Sequence, residues 1–211
     1  MPYLNEFLML TLIHLLAVMS PGPDFAVIVR QSISFDRKTA LITSAGIGAG
    51  IAVHMLYTLL GLGFIITQSE IGFLIAQIVG ICYLSFLAFK LLTSKANSSL
   101  NNEMQVDHNP RHHQKAFMLG VMTNVLNPKA TLFFLAIFTT VVNINTPMTV
   151  QIIYAFWVVL TTFLWFSLVS IFFSQQKVRA KFVSHGYIFE RIMGSVILIF
   201  AGKLLWESKL F

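Results

Sequence analysis

Long uncharged apolar stretches, separated by short polar ones, run along the whole chain. The first covers about residues 4–29 and the second about residues 39–67. The third is the cleanest, because the nineteen uncharged residues 71–89 lie between Glu70 and Lys90. A helix needs about 20 apolar residues to cross a bilayer, so each stretch is predicted to be a membrane-spanning helix.

The second half of the chain continues this pattern. No charge occurs in the 47 residues 130–176, which is too long for one span. The turn-forming sequence NINTP at residues 143–147 divides this stretch and predicts a fourth and a fifth span. A sixth is predicted at about residues 187–206, although its uncharged centre has only eleven residues. The predicted fold is therefore an all-α integral membrane protein with six transmembrane helices.

Composition supports a membrane protein without a soluble domain. Apolar residues make up 56% of the chain, charged residues 10%, and the mean hydropathy is +0.78, whereas soluble domains carry about 25% charged residues. The sequence predicts one transmembrane domain over residues 1–211, with a first repeat at about 1–93, a polar cytoplasmic loop at 94–116 and a second repeat at about 117–211. This length excludes most enzymes with large cofactors, and no cofactor is expected.

The basic residues predict the orientation. Eleven of the fourteen Lys and Arg residues fall in three loops on one side of the six spans, whereas Lys203 and Lys209 fall on the other side and Lys129 lies within the fourth span. Cytoplasmic loops carry the excess of basic residues, so both termini are predicted outside the cytoplasm. The net charge of +6 then indicates orientation and contact with anionic lipid rather than nucleic acid, which is a remote alternative. The first stretch is expected to be a retained span and not a cleaved signal.

The two halves of the chain resemble each other. The third and sixth spans end in AFKLL (residues 88–92) and AGKLL (residues 201–205), which follow Gly80 and Gly194. The first and fourth spans are both interrupted by proline. Many transporters consist of repeats with opposite orientation, so the sequence predicts two inverted three-helix repeats. Chance recurrence in a leucine-rich chain is the alternative.

The first interruption is SPGPD, formed by Ser20, Pro21, Gly22, Pro23 and Asp24. Proline removes a backbone donor and clashes with the preceding turn, and two prolines around a glycine exceed what a kink requires. We therefore predict an unwound stretch and a half-helix that starts near Asp24. The free N–H groups and partial positive charge of such an N-terminus suit a substrate carboxylate. An ordinary packed kink is the alternative.

The second interruption is NPK, formed by Asn127, Pro128 and Lys129, which predicts another half-helix starting near Lys129. Asn124 lies one turn earlier on the same helix face as Asn127. Its amide can line the break as a donor and acceptor, or it can bond the backbone that Pro128 frees.

Asp24 and Lys129 are the ionisable residues of these interruptions. Lys129 lies fourteen residues, or about 21 Å of helix, beyond Lys115, so it is expected deeper in the membrane than Asp24, which is six residues from Arg30. Charge inside a membrane is costly unless it is paired or hydrated. We hypothesise that Lys129 meets a substrate carboxylate or pairs with Asp24, and that Asp24 meets an ammonium group or carries a coupling proton. Helix N-capping by Asp24 is an alternative.

Gly46, Gly50 and His54 recur every four residues in the second span. Small residues at this spacing let another helix approach closely, within one chain or between two. His54, and His14 in the first span, can titrate near neutral pH and couple protons. Each can equally be a hydrogen-bonded packing residue.

Other motifs exclude function classes. The histidines His108, His112 and His113 lie in a polar loop without a second cluster, so no metal site is expected. The single cysteine, Cys82, cannot form an internal disulfide. The sequence contains neither GxxxxGK[ST] nor HExxH. A membrane enzyme is therefore not expected, and a passive channel or membrane subunit is a further alternative.

Three motifs carry a family resemblance: HLLAVMSPGPDF at residues 14–25, GIGAG at residues 46–50 and LGVMTNVLNPKA at residues 119–130. With the size and the polar central loop, they resemble the lysine exporter superfamily (LysE/RhtB type) of bacterial inner-membrane amino-acid exporters. The resemblance covers nearly the whole chain, and SPGPDF is most similar to the homoserine and threonine efflux branch.

The resemblance implies outward transport of a small neutral amino acid, coupled to the proton gradient, across the bacterial inner membrane. The family's motif positions fall on Pro21, Gly22, Pro23, Asn127, Pro128 and Lys129. Asp24 stands where many members have asparagine. The expected partners are a small amino acid, protons and the bilayer, with a homo-oligomer left open. Export of lysine, leucine, a cation or another small metabolite is the alternative.

Overall fold

A computed structural model of the chain describes residues 2–35, 37–68, 70–94, 113–143 and 145–207. Helices joined by short connections account for nearly all of these residues, and no strand occurs in these ranges. In chain order the helices are α1 (Pro2–Met19), α2 (Pro23–Ser34), α3 (Arg37–Gln68), α4 (Glu70–Leu92), α5 (His113–Val125), α6 (Pro128–Thr140), α7 (Met148–Phe173) and α8 (Gln176–Glu207).

The first interruption separates α1 from α2, and the two helices are bent by 55°. Gly22 is extended, with φ −168° and ψ −171°, and Pro23 occupies the first turn of α2. Proline is well suited to this place because a first-turn N–H has no partner within its own helix. The predicted half-helix is confirmed, and it starts one residue before Asp24.

The second interruption separates α5 from α6 with a nearly equal bend of 56°. Asn127 caps α6, and its side-chain Oδ1 accepts from the backbone N–H of Lys129 at 3.0 Å. Pro128 follows in the first turn. The second half-helix is also confirmed, again one residue before the predicted start at Lys129.

In the described ranges, α3, α4 and α7 are long and apolar enough to cross a membrane over most of their lengths, and the number rises to five if each bent pair forms one broken span. These five correspond to the first five predicted spans, so the protein is an all-helical integral membrane protein. The sixth predicted span falls in α8, which is not among the five in the part of the chain that the structure describes. A count of six therefore stays a prediction. Helix α8 begins at Gln176, before the predicted residue 187, because a helix can continue beyond its apolar part.

Glycines bring the helices into close contact within the chain. A Cβ atom added to Gly46 of α3 would lie 2.1 Å from the carbonyl oxygen of Phe117 on α5, and one added to Gly120 of α5 would lie 2.2 Å from that of Thr43. A Cβ at Gly50 would lie 2.7 Å from the side chain of Asn124. Gly46 and Gly50 thus lie where α3 approaches α5 of the same chain most closely, as the packing interpretation of these glycines expects.

The outer surfaces of these helices are apolar. Large apolar side chains that are more than half exposed occur on most of the helices, among them Leu8, Leu12, Leu56, Leu60, Ile71, Phe86, Phe89, Phe156 and Ile199. In water such a surface would be unfavourable, whereas lipid tails cover it without cost. The polar side chains described below lie inside.

Candidate functional site

Polar side chains from the two interruptions bond each other across the protein. Asp24, in the first turn of α2, accepts through Oδ2 from Asn124 Nδ2 and from Asn127 Nδ2, both at 3.0 Å. Both asparagines are buried, whereas Asp24 is partly buried. The amides neutralise none of the carboxylate's charge, but they supply the donors that a buried oxygen needs. The second carboxylate oxygen, Oδ1, is buried and has no partner among the residues that the structure describes.

Lys129 belongs to the second interruption and bonds residues of the first. Its Nζ donates to Ser20 Oγ at 2.9 Å and to the carbonyl oxygens of Ser20 and Ala17, each at 3.3 Å. In a continuous helix the Ala17 carbonyl would accept from residue 21, but Pro21 has no N–H. The Ala17 carbonyl still accepts from the backbone N–H of Ser20 at 3.3 Å, and the ammonium group supplies a second donor in place of the one that Pro21 lacks.

His54 likewise bonds a backbone carbonyl at the second interruption. Its Nε2 lies 2.9 Å from the carbonyl oxygen of Asn124, the oxygen that would accept from residue 128 if Pro128 had an N–H. Because a carbonyl only accepts, Nε2 carries the hydrogen, and Nδ1 is left to contact the hydroxyl group of Tyr57. His54 is completely buried. These contacts fit the hydrogen-bonded packing role, and both that role and proton coupling by His54 stay predictions.

A cavity of about 440 Å³, its open mouth included, lies between the two interruptions. One end is polar, and the remaining wall is apolar except for His14. The polar lining is Ser20, Asp24, Asn127 and Lys129, and the apolar lining includes Ile51, Phe25, Phe133, Phe134 and Phe166. A mostly apolar lining with a few polar groups is typical of sites for small organic molecules.

Two of the alternatives for Asp24 differ from the contacts that the structure describes. It does not cap α2, because Gly22 is the N-cap and Asp24 lies one residue after Pro23. It also does not form a direct ion pair with Lys129 among the described residues, since its described partners are the two asparagines and Lys129 bonds Ser20 and Ala17. Both charged groups nevertheless line the same cavity.

The remaining predicted residues divide into two groups. Ser20, Gly22, Asn127 and Lys129 line the cavity with Asp24, and Pro21, Pro23 and Pro128 shape the interruptions that hold them. His14 also lines the cavity, whereas Gly46 and Gly50 pack α3 against α5.

The predicted histidine loop adds no described site. His113 is exposed at the start of α5, and His108 and His112 lie outside the described residues. No group of three or more His, Cys, Asp or Glu side chains in the described ranges is placed to hold a metal ion.

Sequence reasoning missed several residues of the site. The hydroxyl group of Tyr83 on α4 donates to the carbonyl oxygen of Lys129 at 3.1 Å, and Thr162 on α7 contacts His14. No sequence signal marks either residue, because α4 and α7 reach the site only through tertiary packing. Phe133 is different: it lies four residues after Lys129, so the helical period places both on one face.

These features define an integral membrane protein with a partly polar cavity at two broken helices. Residues 15–208 match the family model described as LysE type translocator, and the chain belongs to this family. The family is one of transport proteins, as the resemblance implied.

Individual relatives are moderately similar over most of the chain. The threonine efflux protein of Escherichia coli K12 is 28% identical over 82% of this chain and 84% of its own, and that of Salmonella typhi is 29% identical over the same shares. The uncharacterized membrane protein YahN of Escherichia coli K12 is 29% identical over 90% of this chain and 84% of its own. No solved structure matches.

Proposed function

We propose that the protein is a secondary transporter that exports a small amino acid of threonine or homoserine type from the cytoplasm. It carries out no chemical conversion, and its site is the cavity between the two interruptions. The observation that carries the proposal is the presence of Asp24 and Lys129 on one cavity without a described ion pair between them. An amino acid carries the two opposite charges that complement such a pair of groups.

The contacts suggest how a zwitterion would bind. Asp24 Oδ1 is buried without a described partner, and an ammonium group would supply its missing donors. Lys129 holds its ammonium group beside Gly22, the N-cap of α2, since a Cβ added to Gly22 would lie 3.7 Å from Nζ. The helix dipole also favours a carboxylate there. A substrate carboxylate would replace Ser20 and Ala17 as acceptors for Lys129.

Movement at the interruptions would then expose the cavity to each side in turn. The equal bends of 55° and 56° support two related halves, and inverted halves give alternating access by rocking of one against the other. We propose six spans in two inverted repeats, residues 1–93 and 117–211, with both termini outside the cytoplasm of a bacterial inner membrane.

The proton gradient is the proposed energy source. Asp24 is the proposed proton carrier, because its carboxylate is the acidic group that lines the cavity. Lys129 and His14 line the same cavity, and His54 is buried against Asn124, which bonds Asp24. A proton on Asp24 would remove the charge that holds the substrate's ammonium group and so favour release.

Counterflow in proteoliposomes tests the proposal. Purified protein is loaded with unlabelled threonine and uptake of labelled threonine is followed, with homoserine, serine, lysine, leucine and cadmium ion as competitors. We expect saturable exchange that homoserine inhibits, and uphill movement when a pH gradient is imposed. Exchange without uphill movement would indicate a passive channel or uniporter, and no exchange of any amino acid by folded protein would contradict the proposal.

A further inference from the structure

His14 is a buried histidine with one unused ring nitrogen. Only 2% of its surface is exposed, and it lies on α1 six residues before Ser20. Its Nε2 is 3.2 Å from Thr162 Oγ1 on α7. Its Nδ1 is buried and has no hydrogen-bond partner within the described ranges. Buried polar atoms are almost always hydrogen-bonded, and this nitrogen lacks such a partner.

His14 lies at a distance from the charged residues of the cavity. Ser20, Asp24, Asn127 and Lys129 all lie near the interruptions, whereas His14 is about 9 Å further along α1 by the helical rise. The rings of Phe133 and Phe134 lie 6.4 and 6.0 Å from the imidazole ring. His14 is therefore the polar contribution to an otherwise apolar part of the cavity.

We propose that His14 Nδ1 hydrogen-bonds a hydroxyl group on the side chain of the transported amino acid, and so makes the site prefer it over an apolar isostere. This rests on the proposed function, in which Asp24 and Lys129 hold the substrate's ammonium and carboxylate groups. With these groups at the interruptions, the substrate's side chain points along α1 towards His14. Phe133 and Phe134 then contact its carbon atoms.

The hydrogen bond matters because shape alone discriminates weakly. An apolar pocket separates a methyl from a hydroxyl group of equal size by about a hundredfold at most, whereas a site with a polar atom that the wrong ligand leaves unpaired can reach about 10⁴-fold. Threonine and valine have the same shape and differ in this one group. The ratio of the threonine to the valine exchange rate therefore reports the contribution of Nδ1.

Three substitutions separate the proposed bond between Nδ1 and the substrate from the bond between Nε2 and Thr162. Nδ1 is two bonds from Cβ, as are the amide atoms of asparagine, whereas Nε2 is three bonds away, as are those of glutamine. His14→Asn thus keeps a polar atom for the substrate and loses the contact with Thr162. His14→Gln keeps that contact and loses the substrate's partner. Thr162→Val removes the contact from the other side.

The test is counterflow of labelled threonine and labelled valine by proteoliposomes of the wild type and these three variants, after thermal melting has shown that each is folded. We expect the wild type to prefer threonine by about tenfold or more, His14→Asn and Thr162→Val to keep most of this preference, and His14→Gln to lose it mainly through slower threonine exchange. The proposal is overturned if His14→Gln keeps the wild-type ratio, or if His14→Asn loses it as fully.

The wild type alone also tests the inference, should a variant fail to fold. Equal exchange of threonine and valine would overturn the role of His14 and leave amino-acid export standing. Exchange of neither would remove the proposed function, and the role of His14 with it.

Discussion

Lys129 Nζ lies 3.3 Å from the carbonyl oxygen of Ala17, the oxygen that Pro21 deprives of its helical donor. His54 Nε2 has the same relation to the Asn124 carbonyl that Pro128 frees. Each carbonyl keeps one backbone donor, the N–H of Ser20 for Ala17 and the N–H of Asn127 for Asn124. A side chain from another helix adds a second donor in each interruption, where backbone groups cannot be left facing lipid. Because Lys129 belongs to the second interruption and bonds the first, the two interruptions stabilise each other.

Lys129→Met is expected to lower both stability and transport. It leaves the carbonyls of Ala17 and Ser20 with fewer donors, and hydrogen bonds to charged groups contribute about 1.5–3 kcal/mol. We expect threonine counterflow to fall by about tenfold or more and the melting temperature in detergent to fall. Lys115→Met is the matched control, because Lys115 is exposed on α5. Similar counterflow in the two variants would contradict a role for Lys129 in the site.

His54→Leu is expected to destabilise the second interruption. The Asn124 carbonyl then keeps the backbone N–H of Asn127 as a donor but loses the imidazole, at a cost of about 0.5–1.5 kcal/mol in the free energy of unfolding. His54→Gln is the control, since its amide extends as far from Cβ as Nε2 and can still donate. Chemical denaturation of both variants measures the difference, and equal stability would show that the bond to Asn124 contributes nothing.

Gly46→Ala is expected to force α3 and α5 apart. The added Cβ would lie 2.1 Å from the Phe117 carbonyl oxygen, a backbone atom that cannot rotate away. Overpacking of this kind costs about 1–3 kcal/mol. Gly61→Ala is the control in the same helix, because a Cβ there would meet nothing within 4 Å. If thermal melting places both variants at the wild-type temperature, the close approach is not rigid.

The proposed orientation can be tested with cysteines in a Cys82→Ser background. Lys115→Cys is expected on the cytoplasmic side and Lys203→Cys on the outer side, because basic residues are enriched in cytoplasmic loops. Both side chains are exposed. A membrane-impermeant maleimide should label Lys203→Cys in intact cells and Lys115→Cys only after the membrane is opened. The reverse pattern would place the termini in the cytoplasm.

The positions of the interruptions could be predicted from sequence because proline acts locally. Pro23 and Pro128 each begin a half-helix within one residue of the prediction. The packing of Gly46 was predictable for a similar reason, since a stripe of small residues describes a surface of one helix. Its partner, α5, was not predictable, because the choice of partner depends on how the helices pack against one another.

The contacts of the site were less predictable. The sequence placed Asp24 nearer the membrane surface than Lys129 and named no asparagine as its partner. The packing of α2 against α5 buries Asp24 Oδ1 and brings Asn124 and Asn127 to Oδ2. The same packing sends Lys129 to Ser20 and Ala17. The sequence identified these residues as polar members of the site. Which of them bond each other depends on contacts between segments that are distant in the sequence.

Equilibrium binding of labelled threonine to the purified protein tests the central claim most directly, that the cavity between the interruptions is the substrate site. The comparison is between the wild type, Asp24→Asn and the control Glu6→Gln, since Glu6 accepts from Thr146 at the far end of α1. Asp24→Asn keeps the size of the side chain and an acceptor for the asparagines, so the protein should fold.

We expect saturable binding by the wild type and by Glu6→Gln, and binding weaker by about tenfold or more in Asp24→Asn, because a charged hydrogen bond is lost. Equal binding by all three proteins would contradict the account, since the substrate would then lie elsewhere.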